Sequence, residues 1–218
     1  MSEAKAKQPG KISTFIKWAF SIIATLFISL VISIVIEILG ITFDWWQQPG
    51  HLHAKHMFTS EINWVLGDFL STNNWYQNKF VSFFKYLYEI LIINTGLEFL
   101  LKKTNFVGEY LLAVVYIIQV VIVRILIILC AIPAFLLINV FVASDGLLYR
   151  ELRKLGGDRE HPFIYHHSKR WIKPLVGLPI VLLLASPFSV HPTIFILVIT
   201  IVPSVFIWLA FALFMKYL

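Results

Sequence analysis

The sequence predicts an all-α integral membrane protein with four transmembrane helices, an amphipathic outer segment and one basic cytoplasmic loop. Of its 218 residues, 59% are hydrophobic and only 14% are charged, whereas soluble domains carry about 25% charged residues. The apolar residues form continuous runs, and a helix needs about 20 such residues to cross the hydrocarbon core. An outer-membrane barrel would instead show short segments of alternating polarity.

The first membrane helix is predicted at residues 12–43, after a cytoplasmic tail at 1–11. Three lysines precede the apolar run, and basic residues are retained on the cytoplasmic side of a membrane. The run is longer than the core of a signal peptide and lacks a small-residue cleavage site. We therefore expect it to remain attached as a signal anchor.

Residues 44–105 are predicted to form a periplasmic or interfacial amphipathic segment. Between 58 and 69 the apolar residues share one helical face, and Glu61 and Asp68 lie on another. The stretch 79–103 is long enough to cross the membrane, but each charged residue in its interior would cost about 2.5–3.5 kcal/mol near the bilayer centre. We expect this stretch to lie on the outer membrane surface, with a crossing as the alternative.

The rest of the chain is predicted to contain three further membrane helices. A long second helix at 106–143 would measure about 55 Å, more than the hydrocarbon core of about 30 Å, and Pro133 is its natural kink. A cytoplasmic loop at 144–171 leads to a third helix at 172–188 and a fourth at 193–215. Both termini then lie in the cytoplasm.

Two ionisable residues interrupt the apolar runs. Arg124 lies near the middle of the apolar run that forms the predicted second helix at 106–143. A charge there must face other helices, water or a partner. It serves either an ion or proton pathway or a structural contact with an acid or helix carbonyl groups, and Glu37 is the intramembrane acid that could act with it. Cys130, the single cysteine, is expected to be a small core residue.

The segment HLHAKH brings three histidines, at 51, 53 and 56, close together in the sequence. It lacks the carboxylate or cysteine partners that would make this spacing diagnostic of a metal site. We therefore predict no metal and no cofactor, and interpret the segment as a solvated interfacial loop.

The loop carries the densest set of polar residues. Residues 143–173 hold seven Lys and Arg against four Asp and Glu, but no Ser–His–Asp spacing, glycine-rich phosphate loop or carboxylate dyad. His166 and His167 would point about 100° apart on a helix. We predict a non-enzymatic surface that docks a protein or anionic lipid. The net charge of +6 reflects membrane topology, so no direct nucleic-acid binding is expected.

The second half of the chain also carries an ordered set of motifs. They are SDGLLYRELRKLGGDREHPFIYHHSKR (144–170), LP (178–179), SPFSVHP (186–192) and FMKYL (214–218), preceded by YLLAVVYIIQVVIVRILIIL (110–129) with Arg124. This order resembles the integrating conjugative element membrane protein family, most strongly over 106–218. The chain departs from the family pattern at Ser144, where an aliphatic residue is usual, and at His161, where a serine is usual.

The resemblance implies a multi-pass protein of the bacterial inner membrane, encoded in a transfer module that builds a type IV secretion apparatus. Genes of this family accompany the coupling ATPase, so the resemblance implies an accessory component of conjugative DNA transfer that docks a partner such as this ATPase. Besides the lipid bilayer and this machinery, a homo-oligomer is left open. The predicted docking residues are Asp145, Arg150, Arg153, Arg159, Glu160, Tyr165, His166, His167 and Lys169.

Two other classes of function remain open from the residues. A small transporter or channel-like protein would use Arg124 and Glu37 as its intramembrane polar residues. A membrane enzyme would use His166 and His167.

Overall fold

Six helices make up the part of the chain described by this computed structural model, which is residues 11–48, 50–68, 74–91, 105–156 and 162–214. They are α1 (Lys11–Thr42), α2 (Leu52–Asp68), α3 (Asn74–Glu89), α4 (Asn105–Gly156), α5 (Pro162–Ala185) and α6 (Pro192–Ala212). No strand occurs in these ranges. The predicted all-α class is therefore confirmed for them.

Three helical stretches in the described ranges are long and apolar enough to cross a membrane. They are Phe20–Thr42 in α1, Val107–Gly156 in α4 and Pro192–Ala212 in α6. The predicted span 172–188 falls largely in α5, whose first half is diluted by basic residues, and α5 is not among the three. The four-span count is not confirmed, and the additional crossing stays a prediction.

The 52-residue helix α4 is the axis around which the other helices pack. At 1.5 Å per residue it is about 78 Å long. Its buried apolar residues lie between Ala113 and Ala131, whereas most of the large apolar residues from Ile132 to Leu155 are exposed. Cys130 is exposed, so the prediction that it is a core residue is wrong. It lies near the end of the buried stretch of α4, next to the exposed residues Leu129 and Ile132.

Parallel packing of α6 on α4 is fixed by three contacts. The hydroxyl group of Ser204 donates to Oδ1 of Asn139 at 3.1 Å. The indole Nε1 of Trp208 donates to Oδ2 of Asp145 at 2.7 Å. Next to this bond, a Cβ added to Gly146 would lie 3.0 Å from atoms of α6. Glycine at this position therefore lets the two helices approach closely.

The helix α2 packs on the first half of α4 through a buried stripe. Ala54, Met57, Glu61 and Val65 recur at helical spacing and are all buried. The prediction that Glu61 lies on a polar face, away from the buried face of this helix, is wrong, because Glu61 is only 1% exposed. An ion pair described below compensates its charge.

The helix α3 completes the cap that α2 forms on α4. It contributes Phe84, which is buried in a core cluster with Val65 of α2 and Val123 of α4. Beyond residue 91, the predicted amphipathic stretch 79–103 lies outside the described residues. Whether that stretch lies on the membrane or crosses it stays a prediction.

The bundle has two chemically different ends. At one end, here called the basic end, the last turns of α4 and α6 meet the first turns of α5. At the opposite end, here called the cap end, α2 contacts the end of α1 and the connection between α5 and α6, and α3 packs beside α2. Thr42 and Tyr110, whose hydroxyl groups lie 3.3 Å apart, place the end of α1 beside the start of α4.

Candidate functional sites at the two ends of the bundle

At the cap end, Arg124 of α4 is fully buried, and each of its five N–H bonds has an acceptor. Nε lies 3.0 and 3.2 Å from the carboxylate oxygens of Glu61 on α2, and Nη2 lies 2.6 Å from one of them. Nη1 donates to the carbonyl oxygens of Leu183 at 2.8 Å and Ser186 at 2.7 Å. Nη2 also donates to the carbonyl oxygen of Phe188 at 3.0 Å.

Through these contacts Arg124 joins three helices, which are α4, α2 and α5. The last carbonyl groups of a helix have no partner within that helix, and a cation at this end also interacts favourably with the helix dipole. Arg124 therefore caps α5, which ends at Ala185, while its ion pair holds α2 against α4. Burial raises the pKa of the Glu61 carboxyl group, and the charge and hydrogen bonds of Arg124 act in the opposite direction.

A second buried polar pair joins α1 to α2. The carboxylate of Glu37, which is 1% exposed, accepts from Nδ1 of His53, with N···O distances of 3.1 and 3.0 Å. The imidazole ring of His53 stacks on the indole ring of Trp46 at a centroid distance of 4.1 Å. Gly40 makes room for that indole, because a Cβ there would overlap Nε1 of Trp46.

The two predicted intramembrane residues therefore have different partners. Arg124 is bonded to Glu61 and Glu37 to His53, so the structure does not bring Arg124 and Glu37 together in one ion pair. The interpretation of HLHAKH as a solvated loop is also wrong for its later part. His53 and His56 lie within α2, and His53 is bonded to Glu37 of α1.

Sequence reasoning missed both Glu61 and His53 as partners. For Glu37, a signal existed in α1, where Ser29, Ser33 and Glu37 recur every four residues and are all buried. That stripe predicts a polar contact on one helical face. Neither partner could be assigned from it, because the pairing depends on how α2 packs.

At the basic end, the last turns of α4 carry three of the predicted docking residues. Asp145 accepts the Trp208 hydrogen bond described above. The guanidinium group of Arg150 lies over the ring of Phe214, 5.0 Å from its centroid, and Nη2 of Arg153 lies 3.5 Å from the Phe214 carbonyl oxygen. These residues are thus held by the end of α6.

The first turns of α5 carry the other described docking residues. Tyr165 is buried edge-on against Phe214, at a centroid distance of 5.5 Å. His166, His167 and Lys169 are exposed, and the ammonium group of Lys169 lies 5.9 Å from the centroid of the Tyr165 ring. Arg159 and Glu160 lie outside the described residues.

Together, Arg150, Arg153, His166, His167 and Lys169 form what we call the basic surface. Its charged groups are supported by aromatic rings, and its histidines lie on one exposed helical segment next to Lys169. Such an arrangement can bind a carboxylate-rich or phosphate-bearing partner. Within the described parts of the chain, no group of three or more His, Cys, Asp or Glu residues could hold a metal ion.

Comparison with known proteins relates the chain to conjugation. No curated protein matches it, and no solved structure matches it. Residues 45–215 match the family model described as IncC plasmid conjugative DNA transfer protein DtrJ-like. The match supports the conjugation-related family inferred from the motifs, but it does not support the specific assignment to the integrating conjugative element membrane protein family. Because it covers most of the chain, the protein belongs to the DtrJ-like family of conjugative DNA transfer proteins.

Proposed function

We propose that this protein is a non-enzymatic accessory component of a type IV secretion apparatus in the bacterial inner membrane. Its basic surface docks a soluble part of the transfer machinery, and the coupling ATPase is the first candidate. Membership of a conjugative DNA transfer family supports a role in conjugation. The observation that carries the docking role is the basic surface itself, which gathers predicted motif residues from α4 and α5 at one end of the bundle.

The geometry of the basic surface supports docking because the surface is preorganised. Phe214 lies against Arg150 and Tyr165, and the Asp145–Trp208 bond holds α4 against α6. A surface whose side chains are already ordered loses less conformational entropy on binding. The exposed residues His166, His167 and Lys169 then provide the contacts to a partner.

The proposed topology places the basic surface in the cytoplasm with both termini. In it, α5 supplies a third crossing, and α1, α4 and α6 supply the others. The excess of Lys and Arg around residues 150–173 supports this orientation through the positive-inside rule. The cap end then faces the periplasm.

Co-purification with the coupling ATPase of the same element tests the docking role. The variant His167→Ala/Lys169→Ala removes two exposed side chains, and Lys79→Ala is the matched control because Lys79 is an exposed lysine of α3. We expect the variant to lower the ATPase recovered per chain about fivefold, since two exposed polar contacts are worth about 1 kcal/mol in total. Lys79→Ala should leave recovery unchanged.

Unchanged recovery with the double variant, at an unchanged unfolding temperature, would remove the docking role. A separate measurement tests the wider proposal. Disrupting the gene in a donor cell should lower the number of transconjugants, and normal transfer would overturn a role in conjugation.

The transporter alternative rests on Arg124 and Glu37 acting together. No contact in the described residues favours it, because all five N–H bonds of Arg124 are already used by Glu61 and three carbonyl groups. An enzyme using His166 and His167 likewise has no supporting contact, since the ring contacts given for these histidines are with Tyr165, Phe163 and Trp171.

A further inference from the structure

A cavity of about 410 Å³ opens between α2, α3 and α4 at the cap end. Its walls are largely aromatic, with Phe58 from α2, Phe84 and Tyr88 from α3, and Tyr116 from α4. We call it the cap cavity. Its lining also includes one buried amide, from Gln119, and three charged side chains.

The amide of Gln119 on α4 is the unexplained polar group of this cavity. Gln119 is 1% exposed, and its Oε1 atom is buried without a hydrogen-bond partner. A buried polar atom without a partner carries a desolvation cost, so it is uncommon in folded proteins. Because Gln119 lines the cavity, we assign this oxygen as the acceptor for a hydroxyl or N–H group of an occupant.

The charged side chains of the cap cavity favour a singly charged anion. Lys55 of α2 and Lys85 of α3 line the cavity and are exposed, and Glu89 lines it as well. Two positive charges against one negative charge leave one positive charge in excess. That excess matches one phosphate diester, while the aromatic walls suit an apolar chain.

The position of the cap cavity along α4 matches the headgroup layer of a bilayer. Arg124 bonds the carbonyl oxygen of Phe188, just before α6 begins, and Asp145 bonds Trp208 near its end. Asp145 follows Arg124 by 21 positions along α4, which span about 32 Å, close to a hydrocarbon core of about 30 Å. Gln119 lies five residues further out, about 8 Å beyond that segment. The polar layers of a bilayer extend about 5–8 Å on each side.

We propose that the cap cavity binds the headgroup of an anionic phospholipid that carries a headgroup hydroxyl, as phosphatidylglycerol does. The phosphate contacts Lys55 and Lys85, the headgroup hydroxyl donates to Oε1 of Gln119, and the upper part of an acyl chain lies on the aromatic walls. This site is separate from the basic surface and does not depend on the docking role.

Native mass spectrometry of the full chain, released from detergent after incubation with a defined lipid, tests the proposal. Three lipids distinguish the contributions: phosphatidylglycerol, phosphatidylmethanol, which keeps the phosphate but lacks the headgroup hydroxyl, and zwitterionic phosphatidylcholine. Retention should fall in that order, with about a threefold or larger step for each lost contact, as expected for about one hydrogen bond or one charge contact.

Variants assign each step to a side chain. Gln119→Leu should lower phosphatidylglycerol retention to the level of phosphatidylmethanol, and Lys55→Ala/Lys85→Ala should lower both anionic lipids to the level of phosphatidylcholine. Lys79→Ala, an exposed lysine of α3 that is not part of the cavity wall, is the control and should change nothing. Equal retention of all three lipids, or full phosphatidylglycerol retention by Gln119→Leu, would overturn the proposal.

A second measurement keeps the test decisive if variants differ in stability. In lipid-free detergent, Gln119→Leu should unfold at the same or a higher temperature, because it removes an unpaired buried acceptor. Phosphatidylglycerol should raise the unfolding temperature of the unmodified chain more than that of the variant. An equal increase in both proteins would contradict the assigned role of Gln119.

Discussion

Replacing Glu61 by leucine should destabilise the protein by about 3–5 kcal/mol, the cost of breaking a buried ion pair from one side. The leucine removes three contacts at 2.6–3.2 Å and leaves the guanidinium group of Arg124 without a counter-ion. Three carbonyl groups still accept from Arg124, so we expect a cost within this range and not above it. Arg124→Met should have a similar cost, because it leaves a buried carboxyl group and removes the cap of α5.

The double variant Glu61→Leu/Arg124→Met should be less destabilised than the sum of the single variants. Replacing both members of a buried pair by apolar residues avoids the uncompensated charge, and residues in direct contact show coupling free energies of about 0.5–3 kcal/mol. We expect coupling of about 2–3 kcal/mol. The remaining loss comes from the carbonyl groups of Leu183, Ser186 and Phe188, which lose Arg124 as their donor. The hydroxyl group of Ser186 still lies 3.1 Å from two of these oxygens, those of Leu183 and Phe188.

Reversible unfolding in mixed micelles, followed by tryptophan fluorescence as denaturing detergent is added, gives the four free energies of this cycle. The control cycle combines Arg124→Met with Glu37→Leu. Because Glu37 is bonded to His53, these two losses should add to within about 0.5 kcal/mol. Coupling between Glu61 and Arg124 below that value, or equally strong coupling between Glu37 and Arg124, would refute the assignment of partners.

Three further substitutions test helix packing by the same unfolding measurement. Gly146→Leu should destabilise the protein by about 1–3 kcal/mol, since even a Cβ there lies 3.0 Å from α6; no loss would contradict the close approach of the helices. Trp208→Phe should cost about 1 kcal/mol by removing the donor to Asp145, and an equal loss in an Asp145→Ala background would show that this bond contributes nothing. Gly40→Ala should displace Trp46 and cost about 1–3 kcal/mol, with unchanged tryptophan emission counting against it.

Membrane character and helical class could be predicted from the sequence because they depend on local composition. Apolar runs and the rise of a helix define a long α4, but they do not give its end: the stretch 144–171, predicted as a loop, is helical up to Gly156 and again from Pro162. The number of crossings was harder to predict. The helix α5 combines basic residues with an apolar half, so composition alone does not decide whether it spans.

The partner of Arg124 could not be predicted from local pattern. Glu61 is 63 residues away in the sequence, and a glutamate in a moderately apolar helix normally indicates a solvated face. Glu37 lies in a more apolar run and was therefore the expected acid. Only the packing of α2 on α4 shows which carboxylate reaches the guanidinium group.

The charged residues of the basic surface could be located from the sequence, but the residues that support them could not. Its residues are clustered in the sequence, so Arg150, Arg153 and Lys169 could be selected from charge alone. The support comes from two aromatic residues: Phe214, just after α6, lies against Arg150, and Trp208 of α6 bonds Asp145. These aromatic residues are more than 50 positions away from the arginines and have no charge to mark them.

The length of α4 has a mechanical consequence. One continuous helix contacts α2 at the cap end and carries Arg150 and Arg153 at the basic end, so it connects the two ends of the bundle directly. Pro133 lies near its midpoint and lacks the backbone N–H that would bond the preceding turn. Kinks in long helices are concentrated at such a position. Pro133 is therefore the point at which the cap-end half and the basic-end half of α4 can change their relative angle.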